Sequence, residues 1–348
     1  MNYPATLAEL WRQHQAPKAD DAPTLVSLFA GCGGSSLGYS AAGYLELLAA
    51  EWDHKACEVF AANLPGVRVF QGDVRELNPA MLEHKIFLLA ASPPCQGVSV
   101  TGKRRPGDPR NELWREVIRL ADAWKPRFVA IENVKGLTLG SMRTTVFAPL
   151  CKELASIGYT VEARLVDAQF LGVPQRRERT IVIGARIPLD VPRTDADALP
   201  AFPVPSGRPR TVRDAWEGLG TDVGEYLIPT GAAGILAPLV EPGKAGSDAL
   251  LRRGGKESRW NLKRLHMGKP SNSLIREIRP SGGQFLHPSE NRTLGTRELS
   301  RIGSFPDEFD FCGLPYEDIH HQVGNAVPPL MSRAIGRALL QGGPGRNG

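Results

Sequence analysis

Between residues 24 and 185, short apolar runs alternate with amphipathic stretches of helical length. Apolar runs bounded by turn residues indicate buried strands, and apolar residues three or four apart indicate helices. The predicted strands lie at 25–29, 45–50, 86–91, 128–131, 160–165 and 180–185, and the predicted helices at 54–63, 112–123 and 145–157. This alternation predicts an α/β fold with a Rossmann-like, mostly parallel sheet and helices on both faces.

The composition of the chain changes at Pro188, which is the first of six prolines up to residue 209 and indicates the start of a linker. Residues 206–285 are rich in glycine, proline and basic residues, and helices are predicted again at 296–302 and 326–340. We therefore predict an N-terminal arm over 1–22 and a discontinuous catalytic domain over 23–190 and 318–343. A smaller irregular domain would cover 191–317, with a target-recognition region at about 190–290.

Positive charge is concentrated in one segment of this smaller domain. The chain carries +5 overall, but residues 241–279 hold ten Lys/Arg and four Asp/Glu, which is +6 and leaves −1 for the rest. A local basic patch is the expected footprint of a protein that binds nucleic-acid phosphates. A solvated loop with scattered lysines is the alternative that charge alone leaves open.

A glycine-rich turn follows the first predicted strand, in the sequence Phe29-Ala30-Gly31-Cys32-Gly33-Gly34. Glycines allow the backbone to approach a ligand closely, and the following helix N-terminus favours an anionic group. Later strands end near Glu51-Trp52 and Asp73, which suit ribose hydroxyls, an adenine ring and an adenine amino group. The alternatives are a structural turn, a core Trp52, and acids that only cap helices.

Cys95 is the exception among the five cysteines, which otherwise read as buried small side chains without zinc-binding spacing. It follows the predicted strand 86–91 within Ser92-Pro93-Pro94-Cys95-Gln96-Gly97, and ligands bind at the carboxyl ends of such strands. A thiolate there is a candidate nucleophile.

Two further motifs follow predicted strands of the same sheet. Glu132-Asn133-Val134 ends the strand at 128–131, so Glu132 is expected on the same rim as Cys95, partly desolvated and suited to acid catalysis. In Gln175-Arg176-Arg177-Glu178-Arg179, alternation puts residues 175, 177 and 179 on one face, where arginines can hold a phosphate or a base oxygen. A capping or salt-bridged Glu132 and an exposed charged edge are the alternatives.

Together these segments resemble the DNA (cytosine-5) methyltransferase family, and they occur in the family's order. The glycine loop resembles the cofactor motif, Pro94-Cys95-Gln96 the nucleophile motif, and Glu132-Asn133-Val134 the acid motif. The resemblance continues with the arginine motif at 175–179, with 297–307, and with the last motif, 322–328, covering about 24–340 in all. Two departures are Val98, where the family often has Phe, and Cys32 within the loop.

The resemblance implies an enzyme that uses S-adenosylmethionine to methylate carbon 5 of a cytosine flipped out of duplex DNA. Cys95 would attack carbon 6, Glu132 would hold ring nitrogen 3, Arg179 the base carbonyl, and Arg177 a phosphate or Cys95 itself. The expected cofactor-binding residues are Phe29, Gly31, Cys32, Gly33, Gly34, Glu51, Trp52, Asp73, Val74, Pro94, Leu113, Asn325, Ala326 and Val327.

DNA contacts are expected from a basic loop after Cys95 and from the recognition region. The loop residues are Gln96, Ser99, Thr101, Lys103, Arg104 and Arg110; the recognition residues are Arg252 and Arg253, with 259–264 as further candidates. The expected partners are double-stranded DNA and a cognate restriction endonuclease, in a cytoplasmic, bacterial and monomeric protein without a membrane segment or a metal. An orphan methyltransferase without an endonuclease is the alternative context.

Three other functions compete with this interpretation. A transfer-RNA cytosine methyltransferase of the same family would typically carry a Cys-Phe-Thr segment, which is absent from the sequence. A catalytically inactive DNA-binding relative is disfavoured by Cys95 and Glu132. A nicotinamide oxidoreductase would explain only the glycine loop.

Overall fold

The apolar runs that the sequence analysis interprets as strands lie in or overlap β-strands of the structure. The structure is a computed structural model, and it describes residues 1–94, 112–186, 201–205, 207–252, 262–275 and 285–341. The first eight strands are β1 Thr24–Leu28, β2 Leu45–Glu51, β3 Arg68–Gln71, β4 Leu88–Ala91, β5 Phe128–Val134, β6 Thr160–Asp167, β7 Gln175–Arg176 and β8 Glu178–Ala185. Three two-residue strands follow: β9 Lys263–Arg264, β10 Ser271–Asn272 and β11 Phe285–Leu286.

Several of the helices overlap ranges that the apolar periodicity predicts. The α-helices of the described residues are α1 Tyr3–Gln15, α2 Gly34–Ala41, α3 His54–Asn63, α4 Trp114–Trp124, α5 Gly140–Met142, α6 Ala148–Ser156, α7 Val212–Ala215, α8 Gly231–Leu236, α9 Gly246–Arg252, α10 Thr296–Ile302, α11 Tyr316–Asn325 and α12 Pro329–Gln341. Helix α3 matches its predicted range, and none of the described helices is long and apolar enough to cross a membrane.

Seven strands form the central sheet in the order β3-β2-β1-β4-β5-β8-β6. The β2–β3, β1–β2, β1–β4 and β4–β5 pairs are parallel, whereas β8 is antiparallel to both β5 and β6. The predicted mostly parallel α/β sheet is therefore confirmed. The strand order reverses between β1 and β4, and ligands bind at such a switch point, outside the carboxyl ends of the strands.

The chain divides into two compact units. The larger unit comprises Gln13–Asp167, Glu178–Pro205 and Met331–Gly348, and it holds the sheet. Its core packs strand residues such as Val26, Leu89 and Ile131 against helix residues such as Val117 and Leu154. Every residue of β4 is buried, as expected for a parallel strand covered on both faces.

The smaller unit comprises Met1–Arg12, Ala168–Arg177 and Ser206–Leu330. Its own apolar cluster includes Leu236, Val240, Leu262 and Leu286. The predicted arm is more ordered than expected, because Tyr3 is buried and its hydroxyl donates to the Arg301 carbonyl at 2.7 Å. The unit also takes in residues 318–330, which the sequence analysis groups with the catalytic domain; the boundaries of the functional domains stay predictions.

Candidate active site

The glycine loop after β1 needs backbone conformations that ordinary side chains avoid. Phe29, Gly31 and Gly33 have φ values of 57°, 58° and 93°. At Gly33 an added Cβ would lie 2.7 Å from Leu64 Cδ1 and 3.1 Å from the Phe60 ring, so a larger residue would push these two side chains away. At Gly31 no atom of another described residue, apart from the chain neighbours, lies within 4 Å of that position. The loop is therefore tightly packed on one side and open at Gly31.

Glu51 ties the end of β2 to this loop. Its Oε2 accepts from the Gly31 amide at 2.8 Å, and its Oε1 accepts from the Trp52 and Asp53 amides at 2.9 Å. Burial raises the pKa of Glu51, while these backbone bonds act in the opposite direction. The carboxylate is thereby held at the carboxyl end of β2, where the sequence analysis expects a ribose-binding group.

Trp52 and Asp73 have different surroundings. The Trp52 residue is 77% exposed, so the alternative that it is a core side chain is wrong. Asp73 accepts from the Arg75 amide at 3.0 Å and forms an ion pair with the Arg75 guanidinium. Hydrogen bonding to Arg75 lowers the pKa of Asp73. These contacts match the capping alternative for Asp73, and its role toward adenine stays a prediction.

Most of the remaining predicted cofactor residues of the larger unit are buried or packed against its core. Cys32 is buried, and burial raises the pKa of its thiol to about 12, which makes it an inert side chain. Val74 is buried, Leu113 packs against the sheet core, and Gly34 begins α2.

The nucleophile segment is visible only up to its second proline. Strand β4 delivers Ser92, whose amide donates to the Leu28 carbonyl at 3.3 Å, and Pro93 and Pro94 follow. Cys95 lies outside the described residues, as do Gln96, Ser99, Thr101, Lys103, Arg104 and Arg110. Their predicted roles stay predictions.

Glu132 and Arg179 form a close, mostly buried ion pair. Arg179 Nε lies 2.8 Å from Glu132 Oε1, and the two side chains are 14% and 16% exposed. In the β5–β8 register Glu132 faces Ile181, two residues from Arg179, so the pair is a diagonal contact on one face of the sheet. An acid and a cation thus stand together at the end of β5, each with limited access to solvent.

Asn133 is a functional candidate that the sequence analysis did not single out. Its buried Nδ2 donates to the Pro93 carbonyl at 3.0 Å, and its Oδ1 accepts from the Val134 amide at 2.8 Å. The side chain therefore joins the acid motif to the two prolines that precede Cys95. The available signal was its place next to Glu132, combined with the rule that neighbouring parallel strands end at one edge.

The arginine motif alternates as predicted, with buried Gln175 and Arg177 on either side of exposed Arg176. Arg177 is only 2% exposed, and within the smaller unit it donates to the carbonyls of Gly324 at 3.1 Å, Asn325 at 3.4 Å and Ala326 at 2.9 Å. These contacts brace the end of α11. They do not support the expected phosphate contact, and the alternative role of Arg177 beside Cys95 stays a prediction.

The last motif starts in α11 and continues into the turn before α12. Asn325 ends α11, and Ala326 and Val327 lie between the two helices, whereas the sequence analysis began a helix at 326. Helix α12 begins three residues later than predicted, at Pro329. The expected contact of these residues with the cofactor stays a prediction.

In the recognition region, charge does not distinguish surface arginines from structural ones. Arg252 is exposed and paired with Glu241, whereas Arg253 lies outside the described residues. The expectation of DNA contact is wrong for Arg264, which is buried and donates to five acceptors. These are the carbonyls of Ala237, Val240, His287 and Glu290 and the Asn291 side chain.

The motif at 297–307 also has a structural explanation. Glu298, buried, accepts two bonds from Arg292 at 2.8 and 3.0 Å and one from the Gly295 amide at 2.7 Å. Asp307 pairs with Arg301. Removing one partner of a buried pair leaves a charge without compensation, so loss of Glu298 or Arg292 is expected to destabilise this unit.

Comparison with known proteins decides between the functions that such a site allows. The chain is 34% identical over 339 residues to the Type II methyltransferase M1.HphI of Haemophilus parahaemolyticus, across 91% of this chain and 87% of that protein. It is 34% identical over 352 residues to the Type II methyltransferase M.PspPI of Psychrobacter sp. strain TA137, across 95% and 82%. The sequence model of the C-5 cytosine-specific DNA methylases matches residues 24–227 and 241–341. The chain belongs to this family.

The resemblance found in the motifs is thereby confirmed, and the protein is a DNA cytosine-5 methyltransferase. A nicotinamide oxidoreductase, suggested by the glycine loop alone, is excluded by the family. The fold agrees with a mutant of Spodoptera frugiperda DNMT2, with a TM-score of 0.66 over 92% of this chain and 100% of that one at 17% identity.

Proposed function

We propose that this methyltransferase modifies cytosine within a specific duplex sequence, by flipping the base and forming a covalent adduct through Cys95. The observation that carries the proposal is the Glu132–Arg179 pair, joined through Asn133 to the prolines that precede Cys95. Cytosine carbon 5 is a poor nucleophile, so the enzyme must first add electrons to the ring. A stacked base cannot reach a recessed thiol, so the cytosine must leave the helix.

The residues of the larger unit fit S-adenosylmethionine as the methyl donor. The open backbone at Gly31, the amide-held Glu51 carboxylate and the exposed Trp52 ring suit a small anionic group, a ribose and an adenine respectively. When bound, this cofactor supplies an electrophilic methyl group. The carboxylate and the ring belong to two different residues, Glu51 and Trp52. Removing the Trp52 ring is therefore expected to weaken S-adenosylmethionine binding without removing the ribose contact of Glu51.

In the proposed mechanism the Cys95 thiolate forms a sulfur–carbon bond at cytosine carbon 6. The electron pair of the 5,6 double bond moves toward carbon 5 and ring nitrogen 3, where Glu132 holds a proton and stabilises the developing charge. Arg179 holds the base carbonyl and keeps Glu132 oriented. After carbon 5 has gained its methyl group, its proton leaves to a base, the double bond re-forms and Cys95 departs.

We further infer that the protein modifies one DNA sequence in a bacterial Type II restriction–modification system or as an orphan enzyme. The named relatives are Type II methyltransferases, which supports this context. Bisulfite sequencing of DNA from cells that express the protein would identify the sequence, and a cognate endonuclease should cut only unmodified copies of it.

The covalent step can be tested with a duplex that carries 5-fluorocytosine at the target. A base cannot remove the fluorine from carbon 5 as it removes the proton, so the enzyme should stay bonded to carbon 6. The covalent complex should then survive denaturing electrophoresis. Cys95→Ser should give no adduct and less than about a hundredth of wild-type methylation, in line with the usual effect of removing a nucleophile. Cys312→Ser, at an exposed cysteine, is the matched control and should behave as wild type. An adduct with Cys95→Ser would overturn the assignment.

A further inference from the structure

Arg176 and Asn272 stand side by side on a short parallel ladder of the smaller unit. Strand β10 pairs with β7 in the register Ser271 with Gln175 and Asn272 with Arg176. The first pair is buried and the second is exposed, so both donor-bearing side chains lie on the solvent face. Neither the guanidinium of Arg176 nor the amide of Asn272 has a side-chain partner within the described residues.

Within the described residues Arg176, like the exposed Arg213, has no carboxylate partner, whereas several other exposed arginines do. Arg12 pairs with Glu9, Arg164 with Glu162, and Arg252 with Glu241. An exposed arginine without such a partner keeps its full charge and its donors for another anion.

The ladder that carries these side chains is rigidly held. The Ser271 amide donates to the Pro174 carbonyl at 2.9 Å, and Gln175 Oε1 accepts from the Leu274 amide at 3.1 Å. The next residue, Arg177, is fixed by the three carbonyls at the end of α11. Donors on a fixed backbone lose little conformational entropy when they bind.

Two further exposed cations lie on segments that backbone hydrogen bonds connect to this ladder. Lys269 lies three residues before Asn272 and is exposed, and its carbonyl accepts from the Val212 amide at 2.9 Å. Arg213, also exposed, donates its own amide to the Met267 carbonyl at 2.9 Å. The neighbouring Asp214 is occupied by the Thr211 amide and hydroxyl. Backbone bonds thus connect Arg176, Asn272, Lys269 and Arg213, which we call the basic strip.

We propose that the basic strip binds backbone phosphates of the DNA substrate, with Arg176 and Asn272 donating to one phosphate and Lys269 and Arg213 to its neighbours. The proposal rests on the proposed function only in requiring that duplex DNA is the substrate. Phosphate is the ligand that three cationic donors and a neutral amide donor share, since none of these side-chain nitrogens accepts a hydrogen bond. The strip would set the register of the duplex rather than read its sequence.

The test is the salt dependence of DNA binding, measured by fluorescence anisotropy on a cognate and a scrambled duplex. Each lost phosphate contact should flatten the plot of log K against log salt by about 0.9. Arg176→Ala and Lys269→Ala should each show that change, and the double variant about 1.8. At 0.15 M salt each single change should weaken binding roughly five-fold on both duplexes. Arg12→Ala, an exposed arginine of the same unit with a carboxylate partner, is the control and should leave the slope unchanged.

Two near-isosteric variants separate charge from shape. Arg176→Lys should keep the wild-type slope, whereas Asn272→Asp should weaken binding, because a carboxylate opposite Arg176 would pair with it and repel phosphate. Unchanged slopes in Arg176→Ala and Lys269→Ala would overturn the proposal, and so would a loss confined to the cognate duplex, which would indicate base reading. Wild-type protein that binds both duplexes but methylates neither would count against the proposed function. The salt-dependence slopes of the variants would then still test whether the basic strip binds phosphates.

Discussion

At the scale of single residues, the indole of Trp52 is an example of exposure that points to a ligand. A tryptophan ring is the largest apolar side chain, and leaving it in water forfeits the stabilisation that burial would give. Trp52 is 77% exposed and adjoins Glu51, whose carboxylate is fixed by three backbone amides. A flat apolar face beside a fixed acid is suited to a nucleoside.

We expect Trp52→Ala to weaken S-adenosylmethionine binding by roughly 1–3 kcal/mol, the range measured for stacking of a base on an aromatic side chain. Isothermal calorimetry with the cofactor measures this change directly, and Trp52→Phe should recover part of it. Leu139→Ala removes a comparably exposed apolar side chain of the same unit and should leave the affinity unchanged. Equal affinities for Trp52→Ala and wild type would remove the indole from the cofactor site, while the recognised DNA sequence should not change in any of these variants.

At the scale of secondary-structure elements, the end of β5 positions the groups to which the proposed mechanism assigns the reaction. The sequence analysis ends this strand at 131, but in the structure it continues to Val134, so Glu132 and Asn133 are strand residues paired with β8. Successive strand residues face opposite ways. This alternation sends Glu132 toward Arg179 and lets Asn133 hold the Pro93 carbonyl.

We predict that Asn133 positions the nucleophile segment and that Asn133→Ala lowers kcat by about ten-fold or more. A misplacement of about 1 Å in a catalytic group can change rates by roughly a hundred-fold. The KM for the cofactor should change little, because the side-chain hydrogen bonds of Asn133 within the described residues go to Pro93 and Val134, which are not assigned to the cofactor. Single-turnover and steady-state methylation kinetics separate these two quantities.

Asn133→Asp is the informative comparison. It keeps the volume and the acceptor for the Val134 amide, but it has no donor for the Pro93 carbonyl. We expect it to lose as much rate as the alanine variant, while thermal unfolding reports any common loss of stability. An aspartate variant with wild-type kcat would show that the Pro93 bond does not position the segment.

The same scale shows which elements the sequence predicts. Six of the seven strands of the central sheet overlap predicted ranges, because the sequence marks them as short apolar runs between turn residues, whereas no range was predicted for β3. Helix α10 matches its predicted range of 296–302. Helix α11 was not predicted, since its sequence is dominated by polar residues such as Glu317, Asp318, His320 and His321. Its helical state depends on tertiary contacts, including the capping of its last carbonyls by Arg177, that no local pattern reveals.

Side-chain roles divide in a similar way. The pairing of Glu132 and Arg179 follows from strand order and alternation, and both were expected at the site. The scaffold role of Arg264 was missed, because composition counts a buried arginine as part of a basic surface. Phosphate-binding and structural arginines differ only in their partners, and partners are set by the fold.

At the scale of the whole molecule, one buried carboxyl couples the protonation state of the larger unit to its folding. Glu46 on β2 is buried; its Oε1 accepts from the Ser36 hydroxyl at 3.0 Å, and its Oε2 has no partner among the described residues. Burial raises the pKa of Glu46 from 4.5 to about 7, and the hydroxyls of Ser27 and Ser36 oppose that rise. No step of the proposed mechanism uses this group.

The consequence is a stability that depends on pH in a defined direction. Because the native state holds the Glu46 proton more tightly than the unfolded chain does, this group favours folding below pH 4.5. The advantage is lost as the pH rises through about 7, where ionisation would leave a charge buried. At about 1.4 kcal/mol per pKa unit, the difference across this window is on the order of 3 kcal/mol.

We therefore expect Glu46→Gln, which keeps the side-chain shape and is never ionised, to flatten this dependence. In chemical unfolding at pH 5.5 and pH 8, its free energy of unfolding should exceed that of wild type by more at pH 8 than at pH 5.5. Glu83→Gln, at an exposed position of the same unit, is the matched control and should track wild type at both pH values. Parallel pH profiles for Glu46→Gln and wild type would mean that the Glu46 proton does not contribute, and that the larger unit already accommodates an ionised carboxylate at this position.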